Sequence, residues 1–380
     1  MLQEVRAKFL DLFSSSPRLF CSPGRINIIG EHTDYNEGFV LPAAIDKELY
    51  FAVAPNSCGK FRFYAYNLQE YKEFDSIEHS QKQLWENYLL GVVSQMRKTG
   101  KSVPSVDVVF GGTIPWGAGL SSSAALECGF AYALNEIFSL GFSKLELVKL
   151  SQMVEHESIG VNCGIMDQFA VMFGKKNHVI QLDCRSLEYA YFPWNVEGYT
   201  LLLCNSGVKH SLASSEYNVR RRECEEGASV VSKHEEAIRS LRDVKLEQLE
   251  KYASEMHGKT YQRCRYVLEE NERVQQMGKA LSDGDAKQVR TLLFSAHNGM
   301  SREYEASCVE IDEMVDIARS CNGVAGSRIT GGGFGGCTIS LVERSAVDNF
   351  KKQITSKYYE KHNIQPSFME VVIGDGTHEL

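Results

Sequence analysis

Between the apolar run Val106 to Phe110 and a helical pattern that begins at Ser122 stands Gly111-Gly-Thr-Ile-Pro-Trp-Gly-Ala-Gly-Leu-Ser-Ser-Ser-Ala-Ala125. A strand, a glycine turn and a helix N-terminus in that order fix a local architecture, because glycine permits the tight turn and the helix opens with backbone N–H groups that lack intrahelical partners. Those groups and the positive end of the helix dipole suit an anion such as phosphate. Gly117 and Gly119 allow close approach, while Ser121, Ser122 and Ser123 add hydroxyl donors, one of which can ligate Mg²⁺. The same serines would also make an ordinary N-cap cluster. No Lys-Ser or Lys-Thr follows the glycines, so the loop is not a Walker A motif. The tripeptide Gly258-Lys-Thr260 has Ala253 where that motif needs its first glycine, and reads as a solvated helix end.

The rest of the chain mixes both kinds of element. Strand-like runs at Leu49 to Ala54, Phe61 to Tyr66, Val106 to Phe110, Val179 to Leu182 and Tyr199 to Leu203 alternate with helical patterns, which predicts an α+β or α/β arrangement. Leu126, Phe130, Leu134 and Phe138 recur on one helical face, and Ser143 with Glu146 forms a capping box opening a helix that runs to about Glu157 before Gly160. Met1 to Phe13 reads as an amphipathic helix, and Glu216 to about Gly278 is charged and helical. At 380 residues the chain predicts two domains, with a boundary near residue 190 dividing it into 1–190 and 191–380.

A net charge of −8 disfavours broad binding to nucleic acid or acidic membranes, so any phosphate site must be local. The longest apolar stretches, such as Leu201 to Cys204, are strand-sized, far short of a membrane span. Eleven cysteines, scattered with no Cys-x-x-Cys pair, predict reduced thiols and a cytosolic protein. A monomer is the expectation.

Two further segments carry polar chemistry. In Gly24-Arg-Ile-Asn-Ile-Ile-Gly-Glu-His-Thr-Asp-Tyr-Asn36, Glu31, His32 and Asp34 crowd into four residues. Such a group could bind a metal, hold the hydroxyls of a polyol, or be only a solvated polar turn. Near the end, Gly326-Ser-Arg-Ile-Thr-Gly-Gly-Gly-Phe-Gly-Gly336 matches Gly-x-Gly-x-x-Gly but runs into a strand-like Cys337 to Val342 where a dinucleotide fingerprint needs a helix, which disfavours a Rossmann site and leaves a tight turn. A zinc site around His156 has the wrong spacing, and Arg220-Arg-Arg222 reads as a solvated helix face.

The Gly24–Asn36 motif, the Gly-Ala-Gly-Leu-Ser-Ser-Ser loop, Cys163-Gly-Ile-Met-Asp-Gln168 and the late Gly-Gly-Gly-Phe-Gly-Gly loop together resemble the galactokinase family of the GHMP kinase superfamily, in order, in spacing and across essentially the whole chain. The resemblance implies an N-terminal ribosomal-S5-like α/β domain, a C-terminal α+β domain of ferredoxin-like type, and an active site in the cleft between them. It implies transfer of the γ-phosphoryl group of MgATP to O1 of α-D-galactose. ATP and Mg²⁺ would be the cofactors and small molecules the only partners.

By the same resemblance Asp167 would accept the proton of the attacking hydroxyl or orient the sugar, and Arg25 would pair with it and share the charge of the transferring group. Without the motif, a helix N-cap and a structural ion pair would be the default readings of those two residues. Glu31, His32, Asp34, Gly164 and Tyr217 would bind galactose, whose axial C4 hydroxyl distinguishes it from glucose at a cost of about 1–3 kcal/mol for groups left unpaired by the epimer. Gly117, Ala118, Gly119, Leu120, Ser121, Ser122 and Ser123 would cradle phosphates, and Ser123 and Glu155 would hold Mg²⁺. The resemblance leaves two alternatives: a catalytically silent sugar and nucleotide sensor, disfavoured by Ala124 and Ala125 directly after Ser123, and a kinase for N-acetylgalactosamine or arabinose, disfavoured by Thr33 and Asn36. The adenine pocket is expected near Tyr64 to Asn67 and Trp85, and Cys163 is expected to make the protein sensitive to thiol reagents.

Overall fold

A computed structural model of the chain describes residues 1–77, 84–115, 119–208 and 213–380, with side chains in the last stretch from 216 onward. In chain order the first elements are α1 (Leu2–Leu12), β1 (Arg18–Asn27), β2 (Phe39–Val40), β3 (Pro42–Pro55), β4 (Phe61–Ala65), β5 (Glu70–Phe74), α2 (Trp85–Lys98), β6 (Val106–Gly112), α3 (Ser122–Phe138), α4 (Lys144–Val154) and α5 (Met166–Phe173). There follow β7 (His178–Asp183), β8 (Tyr189–Pro193), β9 (Tyr199–Asn205), α6 (Ala213–Ser232), α7 (Leu246–Lys251), α8 (Thr260–Asp283), α9 (Ala286–Asn298), α10 (Val309–Ser320), β10 (Val324–Ile329), β11 (Cys337–Glu343), α11 (Val347–His362), β12 (Ser367–Val371) and β13 (His378–Glu379).

Among the described residues these strands form three sheets. The first runs in the order β13-β1-β3-β6-β4-β5, antiparallel except for β4 beside β6. Its strands are apolar and β-branched, as at Val106–Phe110, so both faces must be covered. Helices α3 and α5 pack on β1 and β3, while α1 turns Val5 and Phe9 onto β3 and β6. Full burial of such a side chain contributes about 1.5–3 kcal/mol, enough to hold a short terminal helix in place. The capping box of Ser143 and Glu146 forms as the sequence predicts. Leu126, Phe130 and Leu134 of α3 are buried, and Phe138 is half-buried at its end.

The second sheet has the order β10-β11-β9-β12, all antiparallel. Counted from β9 as the first strand, that is the 4-1-3-2 order with helices after the first and third strands, the ferredoxin-like topology. The third, small sheet β2-β7-β8 packs against β3 on one side and α8 on the other. Residue 190 lies inside β8, paired to β7, and the chain's end returns to the first sheet, where the Leu380 N–H donates to the Leu19 carbonyl at 2.9 Å. The start of the late glycine-rich segment, Gly326–Ile329, is not turn but strand, fully buried. The reason is packing: Gly326 sits at φ +137 against Leu293, where a Cβ would collide. No helix among the described residues is long and apolar enough to cross a membrane, and all 11 cysteines are free thiols.

Candidate active site

Strand β1 sets the first residue. Its register with β3 shifts between Pro23 and Arg25, and a Cβ on Gly24 would lie 2.9 Å from the Leu120 carbonyl oxygen. This bulge turns Arg25 toward the phosphate loop. The Arg25 backbone N–H donates to Leu120, and its Nη1 donates to the Gly119 carbonyl at 2.5 Å. Nε and Nη2 then grip the two oxygens of Asp167 at 2.7 and 2.8 Å. Such a planar fork fixes the carboxylate's orientation as well as its charge.

Asp167 lies in the first turn of α5, whose N-cap is Ile165, so it does not cap the helix. Ser121 likewise gives α3 no side-chain cap; it adopts φ +55 and its hydroxyl donates to Asp167. The α3 N-terminus is therefore left without a side-chain cap. Gly117 and Ala118 lie outside the described residues. Gly119 and Leu120 are tied to Arg25, and Ser122 opens the helix.

Asp167, Arg25, Ser123 and Glu155 line a cavity of about 460 Å³, together with Glu31, His32, Asp34, Gly164 and Tyr217, so eight candidate residues scattered over the sequence converge with Arg25 on one cleft. Glu155 begins a π-helical turn, Glu155–Ile159, that ends at Gly160 with φ +83. Burial pushes its carboxyl up to about 7, against a hydrogen bond with Ser123 that lowers it. Burial raises Asp34 to about 6, with repulsion from Asp167 adding to it. The backbone at Gly164 runs against the Asp34 carboxylate so closely that a Cβ there would overlap it.

Glu31 and His32 are more committed to the protein than the sequence suggests. Glu31 pairs with Arg328, an arginine with no exposed surface, and accepts the Gly331 N–H at 3.3 Å. Burial nonetheless pushes its carboxyl up to about 7. His32, at φ +63, spends both ring nitrogens on Tyr35 and Gly332. The late glycine-rich loop is more than a turn: Gly331 and Gly332 wall the cleft, and a Cβ on Gly331 would be 3.5 Å from the Gly119 oxygen, so the two glycine loops abut.

Several expectations change. Arg220 is not solvated but buried, donating to the carbonyls of Tyr304 and Glu305; Arg222 is exposed. Thr33 and Asn36 hold the turn, bonding to Gly30, Phe39 and His32 carbonyls. Trp85 is buried against Phe110 with its indole N–H given to Glu70, while Asn67 is exposed and bonds the Gly112 backbone. His156 donates to the Cys163 carbonyl at 2.9 Å and Glu157 pairs with Lys98, which separates the pair that a zinc site would need. Burial, with Glu155 and Asp167 adding to it, pushes the Cys163 thiol far up, so it carries little thiolate and reacts slowly. Tyr88 lines the cleft without a sequence signal, Gly332 does so from the late glycine loop, and Arg328 of the same segment acts on the cleft through Glu31.

The galactokinase galactose-binding signature matches residues 7–55, the GHMP kinases N terminal domain 87–175 and the GHMP kinases C terminal model 277–361. The chain is 44% identical over 359 residues to a galactokinase of Thermotoga neapolitana, covering 94% of this chain and 99% of the other. It is 39% identical over 388 residues to the galactokinase of Bacillus subtilis, covering 100% and 99%. The crystal structure of Lactococcus lactis galactokinase complexed with galactose superposes with a TM-score of 0.95 at 34% identity, covering 100% of both chains. A Methanococcus jannaschii mevalonate kinase, at 16% identity and a TM-score of 0.65, shares the fold. The chain belongs to the galactokinase family of the GHMP kinases, ATP-dependent sugar kinases.

Proposed function

We propose that this sugar kinase moves the γ-phosphoryl group of MgATP onto O1 of α-D-galactose, releasing α-D-galactose 1-phosphate and ADP. One observation carries the reading: a carboxylate, Asp167, held in a fork by Arg25 and touched by Ser121 of the phosphate loop, faces the same cavity as Glu31, Asp34 and Tyr217. Asp167 accepts the proton of the attacking hydroxyl as the bond to phosphorus forms. Arg25 and the α3 N-terminus share the negative charge of the transferring group. Asp34 and Tyr217 hold sugar hydroxyls, with Glu31 and His32 behind them.

Ser123 and Glu155 fit a Mg²⁺ ion: they are hydrogen-bonded to one another and line the cleft, one hydroxyl and one carboxylate. Among the described residues no three His, Cys, Asp or Glu side chains are grouped to hold a metal, in keeping with an ion that takes its other oxygens from water and phosphate. When bound, the ion neutralises phosphate charge. The chain works as a monomer, and in the reducing cytosol, in keeping with its free thiols. A division near residue 190, with 378–379 rejoining the first half, puts a ferredoxin-like sheet in the second domain.

A coupled assay of ADP release with galactose, glucose, N-acetylgalactosamine and arabinose, with ³¹P NMR of the product, tests the reading. Turnover with galactose at O1 supports it. Preference for another sugar replaces the acceptor, and binding without turnover would make the chain a sensor.

A further inference from the structure

We propose that Tyr35 and Tyr304, with Cys224 behind them, are positioning residues that hold the His32 ring through its Nδ1 and through it pin the late glycine loop against the sugar and phosphate sites. The inference rests on the reading of the cleft as a sugar kinase site.

The hydrogen bonds run in one direction only. Nε2 of His32 is 3.1 Å from the Gly332 carbonyl oxygen, which can only accept, so Nε2 carries the hydrogen. Burial, with Arg220 and Arg328 adding to it, pushes His32 down to about 3, so the ring is neutral and Nδ1 accepts. Its donor is the Tyr35 hydroxyl at 2.7 Å. With that proton spent, Tyr35 oxygen accepts from the Tyr304 hydroxyl at 2.7 Å, and Tyr304 accepts in turn from the Cys224 thiol at 3.3 Å. Burial keeps both phenols protonated. In this arrangement His32, Tyr35 and Tyr304 each have one proton and one place to send it.

The far end of this relay is the Gly332 carbonyl, in a Gly331–Gly332 dipeptide held on its other side by Glu31, which accepts the Gly331 N–H. Gly331 rests against Gly119, and a Cβ on Gly332 would lie 3.7 Å from the Tyr217 ring. The peptide therefore sits between the sugar-facing tyrosine and the phosphate loop, and its position sets the spacing of the two. His32 acts here as a strut, its ring nitrogens turned to the protein.

Tyr35→Phe removes the donor to Nδ1 and leaves the ring held by Gly332 alone, and Tyr304→Phe removes the donor to the Tyr35 oxygen. Both variants are expected to lower kcat for galactose about tenfold with the KM for ATP unchanged, by analogy with other outer partners that orient site ligands. Cys224→Ser should restore the wild-type rate, and Cys224→Ala should lie between. A ¹⁵N-histidine two-bond NMR spectrum of the wild-type protein should give a neutral Nε2–H tautomer for His32 from pH 5 to 8, and in Tyr35→Phe the same tautomer with the Nδ1 resonance displaced by loss of its hydrogen bond. An Nδ1–H tautomer in the wild type, or a Tyr35→Phe variant with unchanged kcat and an unmoved Nδ1 resonance, would overturn the relay while galactose turnover keeps the kinase reading intact. Loss of galactose turnover in the wild type would instead sink that reading, and the NMR spectrum would still decide the relay.

Discussion

Arg25 and Asp167 stand 142 residues apart in sequence and meet as a two-pronged ion pair, Nε to Oδ1 at 2.7 Å and Nη2 to Oδ2 at 2.8 Å. The pair joins strand β1 to helix α5, and the third arm of the same guanidinium reaches the Gly119 carbonyl of the phosphate loop. A single side chain thus sets the Asp167 carboxylate, the loop and the strand in one frame. Lysine has a single ammonium in place of the planar fork and cannot span all three contacts in this geometry. Arg25→Lys should lower kcat on the order of 10²-fold, the usual cost of losing a preorganised donor at a charged transition state. Steady-state kinetics with galactose and ATP check this, and a wild-type kcat would show that the fork is only structural.

Gly164 tests the sugar side. A Cβ there overlaps the Asp34 carboxylate. Gly164→Ala should therefore displace Asp34, lower kcat/KM for galactose about 10²-fold as a displacement near 1 Å does, and leave ATP binding by calorimetry unchanged. An unaltered kcat/KM would remove Asp34 from the sugar contacts.

Local signals carried much of this structure in the sequence. The Ser143 capping box, the α3 periodicity and the runs that became β3, β4, β6, β7 and β9 are determined by neighbours within a turn or two. The cleft was legible through motif resemblance, because Asp167, Arg25 and Ser121 occupy linked motifs. Residues that matter through distant partners were not. Arg328 sits in a strand and gains its meaning from Glu31, 297 residues away. Arg220 looks like one of three surface arginines until Tyr304 and Glu305 supply carbonyls. Gly326 looks like turn because its strand role depends on Leu293.

Glu155 gives the pH dependence a sign. Its carboxyl sits at about 7 in the folded protein against an ordinary 4.5. Below that value it carries a proton that an incoming Mg²⁺ must displace. The Mg²⁺ concentration for half-maximal activity should rise as pH falls through about 7 and level off above it, and Glu155→Gln should raise it at every pH while flattening the curve. In the unliganded protein the same raised carboxyl favours the fold at low pH, a contribution lost as pH rises from about 4.5 to about 7. A Mg²⁺ requirement independent of pH in the wild type would take Glu155 out of the metal site.

Arg328 and Glu31 form an ion pair with side chains 0% and 2% exposed. Removing one partner leaves a buried charge alone, at about 3–5 kcal/mol. Urea unfolding of Arg328→Met should show a loss of that size, and Arg328→Met with Glu31→Gln should recover part of it. A loss below about 1 kcal/mol, the range of an exposed pair, would contradict the burial argument.

The most direct measurement is the turnover of Asp167→Asn, with galactose binding followed in parallel by calorimetry. Asparagine keeps the shape and a partner for Arg25 but cannot take the proton of the sugar hydroxyl. The variant should melt near the wild-type temperature, bind galactose, and lose about 10²–10⁴-fold in kcat, the range for a general base. A kcat within a few fold of the wild type would contradict the assignment of Asp167 as the group that receives the O1 proton.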